Sequence, residues 1–390
     1  MKGERTWNQH VVKKENKSLV LKTIIQSSPL SRAEIANITG LNKGTVSSLV
    51  HDLIEEKFIF ESGPGTSSGG RRPVMLLFNE TAGYSIGINI GVNYLLGILT
   101  DLNGDICLEK QMKMDVQSFP IIKDQLFSMI RELIEAAPKS PYGVVGIGIG
   151  VPGTVSKDGK VLLAPNLNWK NIDLQSVLEE KYNIPIIIEN EANAGAYGEK
   201  KFGAGKESEH LIYVSVGIGI GVGMILNGKL YKGNNGFSGE LGHMSINVSG
   251  DLCRCGNEGC WELYASEQAL IQQAKKLNIL PVDDQDVSLE SLMELAEKGN
   301  KDAIHLFERI GNYLGVGVNN IVNIFNPQEV VIGNRMASTE KWIEASLTKQ
   351  LAERIQSFQE QGLQIKFSKL SSYAAALGVA AFSSENFLQK

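Results

Sequence analysis

"LIYVSVGIGIGVGMILNGKLY" (residues 211–231) reads as a strand, a glycine-rich turn, a second strand, a Leu-Asn-Gly turn at 226–228 and a third strand. The same order occurs earlier in "YSIGINIGVNYLLGILTDLNGDICLEKQMKM" (84–114), where the Leu-Asn-Gly turn falls at 102–104. Two copies of a hairpin-plus-strand unit, each followed by helical patterning, predict an α/β protein of two similar halves. Between them the pattern predicts a helix near 118–137, a strand at 144–150, a helix near 173–182 and a strand at 184–188. In such sheets ligands settle beyond the carboxyl ends of strands, in the crevice between the halves. The glycines of 87–91 and 217–223 either cradle a phosphate or only make tight hairpins, and spacing does not choose between the two.

Outward from the repeats, 390 residues are too many for one small core, and 43% hydrophobic with 21% charged residues describes a globular chain. No leader or long uninterrupted apolar run is visible, and four cysteines, three of them within 253–260, argue against a disulfide framework. The expected location is the cytoplasm. Charge is uneven: residues 1–73 carry +4 within a chain of net −5. A basic head on an acidic body points to a nucleic-acid partner for the head alone.

In the head, "NKSLVLKTIIQSS" (16–28) suits a helix burying Leu19, Leu21, Ile24 and Ile25. Ser31 and Glu34 then stand in capping-box spacing, Thr39-Gly40 makes a turn, and a third helix places Val46, Leu49, Val50 and Leu53 inward. That is a helix-turn-helix, with Asn42, Lys43, Thr45, Ser47 and Ser48 on the exposed recognition face. Strands at 58–61 and 73–78 flank "SGPGTSSGGRRP", a wing whose Arg71 and Arg72 suit a minor groove. The blander reading is a protein-protein module; the basic balance and short polar side chains favour DNA.

Two clusters carry the chemistry of the body. "IIIENEANAGAYGE" (186–199) crowds Glu189, Asn190, Glu191 and Asn193 at a strand-to-helix junction, either as an acid/base device or as a clamp for hydroxyls. "GHMSINVSGDLCRCGNEGC" (242–260) sets His243 ahead of Cys253, Cys255 and Cys260, four ligands for a closed, structural zinc site rather than three idle thiols. Glu240 and Glu262 bracket that cluster and bring acceptors for O–H groups toward it.

The joint pattern of "GELGHM", "CRCGNEGCWE", "VPGTV", "NLNW", "IENEAN" and the paired hairpins resembles the ROK family, which groups sugar-responsive repressors with sugar kinases. The resemblance covers about residues 80–385, and a winged helix in front is the arrangement of the repressor branch. It implies an actin-like or hexokinase-like body of two lobes, divided as a winged helix-turn-helix in 1–80, a first lobe in 81–200 and a second lobe with the zinc knuckle in 201–390. It also implies a monosaccharide in the cleft, held by Asn190, Glu240, His243 and Glu262, with Gly153 and Asn166 beside them. The family's kinases have an aspartate at Glu191, an aspartate at Asn89, threonines at Asn93 and Ile218, and a glycine run where "VIGNRM" (331–336) stands. Glutamate keeps a charge but moves it by a methylene, and losing the metal-nucleotide anchor with the phosphate-contacting hydroxyl removes what phosphoryl transfer needs. The expectation is therefore a repressor rather than a kinase, with Glu191 in the sugar clamp. On resemblance alone the sugar is xylose. A homodimer on a pseudo-palindromic operator follows from the helix-turn-helix.

Overall fold

The computed structural model describes residues 9–64, 73–114, 118–279, 287–356, 359 and 362–389. Its first helix, Gln9–Ser27, buries Val20, Leu21 and Ile24 but exposes Leu19. The expected face was thus off by one side chain. At about 100° per residue, Val20 and Leu21 share a stripe with Ile24, whereas Leu19 is turned about 140° from it. Ser31 caps Arg32–Thr39 reciprocally: its Oγ accepts from the Glu34 amide, and Glu34 accepts from the Ser31 amide at 2.7 Å. Gly40, at φ +70, ends that helix in the left-handed region that favours glycine. The next helix, Lys43–Glu55, buries Val46, Leu49, Val50 and Leu53 as its periodicity predicts. Ile59–Pro64 and Val74–Phe78 pair antiparallel, and Leu30–Ser31 completes a three-stranded sheet. Arg71 and Arg72 lie outside the described residues.

Both body sheets have five strands in one order. From one edge the first runs Ile106–Lys113, Tyr94–Asp101, Tyr84–Ile90, Val144–Val151, Ile186–Asn190. The second runs Lys229–Leu230, Ile220–Leu226, Leu211–Val216, Glu329–Gly333, Gln364–Phe367. In each, a three-strand antiparallel meander is extended by two parallel strands, the arrangement that the repeat predicts.

Helix Glu191–Phe202 lies on the second sheet, helix Tyr373–Leu388 lies on the first, and the two cross between the sheets. They touch backbone to backbone, since a Cβ on Gly378 would stand 1.8 Å from the Ala194 carbonyl. The C-terminal helix therefore packs on the first sheet, although chain order puts it at the end of residues 201–390. Its last turn also meets the head: Phe387 packs against Phe58 and Tyr142, which stack on each other at 5.1 Å. The Tyr142 hydroxyl donates to the Glu56 carbonyl at 2.7 Å, so the head is seated on the body by apolar and polar contacts together. No helix among the described residues is long and apolar enough to cross a membrane.

Candidate functional site

Parallel pairing of Ile186–Asn190 with Val144–Val151 brings two strand ends level, Asn190 beside Val151. Beyond them opens a cavity of about 330 Å³ between the lobes. Gly153, Asn166, Asn190, Glu191, Glu240, His243 and Glu262 all line it. Seven positions spread over 110 residues of sequence thus converge on one crevice.

The junction at 186–199 separates its polar residues by role. Glu189 is buried; one of its oxygens accepts from the Asn190 amide and from Asn193 Nδ2, and the other pairs with Lys232 at 2.6 Å. Asn190 caps helix Glu191–Phe202, accepting from the amides of Ala192 and Asn193, while its Nδ2 donates to the Gly153 carbonyl at 2.8 Å. Most of its hydrogen-bonding capacity therefore fixes the Gly153 loop to the helix start. Glu191 alone makes no side-chain hydrogen bond or ion pair among the described residues. Although it still meets solvent through the cleft, burial pushes its carboxyl up to about 7.

That shift has a sign that can be measured. A carboxyl raised in the folded state supports folding most fully below its usual value of 4.5, and the support is lost as pH rises through about 7. Glu191→Gln, which stays neutral, is therefore expected to melt with wild type at pH 4 and above it at pH 8. Melting curves across that range check this; parallel curves at every pH would remove the strained carboxylate.

On the other wall, the ligand atoms of His243, Cys253, Cys255 and Cys260 lie within 4.8 Å of one another. Cys255 Sγ is 3.7 Å from Cys260 Sγ, and Cys253 Sγ is 3.6 Å from His243 Nδ1. Four donors about 2.3 Å from a tetrahedral centre stand about 3.8 Å apart, so the set fits a four-coordinate metal ion. Gly259 makes the turn possible: its φ is +65, and a Cβ there would meet the Asn247 carbonyl at 1.7 Å. Nδ1 is the His243 nitrogen on the sulfur side, which leaves Nε2 for a ligand in the cavity that His243 also lines. Glu262 joins the two regions, with one oxygen 3.5 Å from His243 Nδ1 and the other 3.4 Å from the Ile220 amide.

Several cavity residues gave no signal in the sequence. Arg254 lies between Cys253 and Cys255 and bonds Asn166 across the cleft at 3.1 Å. Arg335 enters where the glycine run is broken, its guanidinium held by Glu267 at 2.9 and 3.1 Å and by Glu290 at 2.9 Å. Asn334 beside it donates to Ser215 Oγ at 3.0 Å. Only the departure from the kinase glycines at 331–336 marked that wall in advance.

The glycine hairpins also divide. Gly91, Gly217, Gly219 and Gly221 line the cavity. Gly87 and Gly223 instead lie under the crossing helices, where a Cβ would stand 2.0 Å from the Ala376 carbonyl and 2.2 Å from the Ala192 carbonyl. On the head, Lys43, Ser47 and Ser48 are exposed and Thr45 is half-buried. Asn42 is exposed; its Oδ1 accepts from the Thr45 amide at 2.8 Å, which leaves both N–H groups and one lone pair for a partner.

A ROK family match spans residues 85–386. The chain is 47% identical to the xylose repressor of Bacillus subtilis (strain 168), over 98% of each chain. A solved ROK family transcriptional regulator, a homologue of the Escherichia coli MLC protein, superposes with a TM-score of 0.81 at 26% identity over 97% of each chain. A ROK family glucokinase from Streptomyces griseus, solved with glucose and AMPPNP, superposes with a TM-score of 0.72 at 27% identity, over 78% of this chain and 100% of the enzyme.

Proposed function

The chain belongs to the ROK family, and from that premise we propose a xylose-responsive repressor of xylose-utilisation genes. It is a sugar-responsive transcriptional regulator with a two-lobed actin-like body, not an enzyme. In the proposed reading the winged head holds operator DNA, and xylose in the cleft favours an arrangement of heads that does not fit it. Inducer then lowers operator affinity by linkage. The observation that supports this most is the convergence of Gly153, Asn166, Asn190, Glu191, Glu240, His243 and Glu262 on one cavity. Operator binding titrated with D-xylose, D-glucose and N-acetylglucosamine tests it. Release by D-xylose at the lowest concentration is expected, and equal indifference to all three would defeat the reading.

The knuckle would hold zinc through His243, Cys253, Cys255 and Cys260. Zinc with four protein ligands supplies rigidity and no open position for catalysis. A working kinase is the rival, and the sequence disfavours it: Asn89 and Ile218 replace the family's aspartate and threonine, while in the cleft Arg335 is already neutralised by Glu267 and Glu290.

Asn42, Lys43, Thr45, Ser47 and Ser48 form the proposed DNA face, and two heads of a homodimer would read half-sites about one turn apart. Lys43 stands at the first turn of its helix, where the cation and the helix N-terminus meet phosphate together. Lys43→Ala is expected to weaken operator binding similarly on all sequences and to reduce the salt slope by about one. Sugar affinity is expected to stay at the wild-type value. An unchanged salt slope would take Lys43 off the DNA.

A further inference from the structure

Arg254 projects from the metal-ligand knuckle, and its Nη1 donates to Asn166 Oδ1 at 3.1 Å. Asn166 belongs to the short turn Pro165–Leu167, next to the small sheet formed by Thr154–Val155, Val161–Ala164 and Trp169–Ile172. Both residues line the cavity from opposite sides. One further polar contact spans the same opening, Thr154 Oγ1 to Glu240 at 3.3 Å, and Lys232 pairs with the buried Glu189 at 2.6 Å behind it.

Arg254 differs from the other cations here. Arg335 is held by Glu267 and Glu290, and Lys232 by Glu189. Among the described residues Arg254 has no carboxylate partner, and Nη1 makes its one recorded hydrogen bond. A guanidinium has five N–H donors, so four remain for a ligand. The cavity it lines is rich in acceptors: Glu191, Glu240 and Glu262. A sugar hydroxyl that donates to a carboxylate or an amide oxygen such as Asn166 Oδ1 keeps lone pairs that need a donor in turn, and among the described residues of the cavity Arg254 is a charged donor with N–H groups to spare.

We propose that Arg254 is a ligand-contacting residue of the cleft. Its guanidinium donates to a hydroxyl oxygen of the bound monosaccharide, and Asn166 accepts from the same hydroxyl. The ligand thereby replaces the direct Arg254–Asn166 bond with a bridge that holds the two lobes together. This rests on the reading of the cleft as a monosaccharide site.

The test is calorimetric binding of D-xylose to the full chain and to Arg254→Ala, Arg254→Lys, Asn166→Ala and the double alanine variant, with metal content and melting measured for each. Arg254→Ala is expected to bind on the order of tenfold to hundredfold more weakly, the effect of losing a hydrogen bond from a charged group. Lysine should restore part of that loss. The double variant should lose no more than the worse single one, because both groups serve one bridge. Metal content should be unchanged; if Arg254→Ala loses metal, Arg254→Gln, which keeps side-chain bulk and an N–H donor but no charge, decides the matter by the same criterion provided it retains metal. Wild-type affinity in Arg254→Ala, or additive losses in the double variant, would overturn the role of Arg254 alone. A wild-type chain that binds no monosaccharide would overturn the cleft reading and this inference with it.

Discussion

Cys253→Ser is expected to empty the His243, Cys253, Cys255 and Cys260 cluster of metal and to cost the protein its response to sugar. Cys253 is 3% exposed, so its thiol has no water to take the place of a ligand. Burial raises this thiol and that of Cys260, and a cation bound there would have to displace their protons. Around the cluster the knuckle has little core of its own: Val248 is 92% and Leu252 71% exposed. Metal ligation would therefore add to the hydrogen bonds that tie this segment, such as Ile246 N–H to the Gly259 carbonyl, and a structural zinc is worth roughly 10–16 kcal/mol in isolated finger peptides. The strands beneath rest on a core around Phe307 and Leu314, onto which Trp261, Met244 and Ile246 pack the base of the knuckle, so the damage should stay local. Elemental analysis should find about one zinc in wild type, as a closed four-ligand site requires, and almost none in the variant. Hydrogen exchange should accelerate in residues 245–260, with the sheets unaffected. Sugar affinity should fall because His243, Arg254 and Glu262 all take their positions from the knuckle. A variant with normal sugar affinity and no metal would show that the cluster is dispensable.

Glu240→Ala is expected to give a repressor that grips its operator and no longer lets go. Glu240 is exposed in the short turn Glu240–His243, and its recorded partner is Thr154 Oγ1 at 3.3 Å. Truncation removes no core packing, so the melting temperature should remain within about a degree or two, as for surface changes away from special features. What it removes is a charged acceptor facing the cavity. Each hydrogen bond to such a group contributes roughly 1.5–3 kcal/mol, so xylose affinity should fall on the order of tenfold to hundredfold. Linkage makes the two losses one: the sugar concentration that releases DNA rises by the factor by which sugar affinity falls. Binding of operator fragments with and without D-xylose, beside a melting curve, checks both. If Glu240→Ala releases DNA at the wild-type sugar concentration, Glu240 does not hold the inducer.

Short-range patterns in the sequence determined the repeats, the Ser31 cap and the cluster of His243 with three cysteines. Ser31 with Glu34, Asn227 with Gly228, and cysteines two and five residues apart interact with near neighbours, so their spacing states their geometry. Alternation within 84–114 and 211–231 predicted two like sheets, because strand order in a meander follows chain order. Tertiary structure alone decided which polar group is free. Glu189 and Glu191 look alike in the sequence, yet one meets Lys232, 43 residues away, and the other meets only the cleft. Gly87 and Gly91 look alike too, but a helix beginning at residue 373 lies over the first and a cavity over the second. Arg254 finds Asn166 across 88 residues. Periodicity records that a side chain leaves water, because the hydrophobic effect acts on every apolar group whatever its neighbour. A hydrogen bond is directional and reaches no further than about 3.5 Å, so its partner is fixed only once distant segments have been brought together.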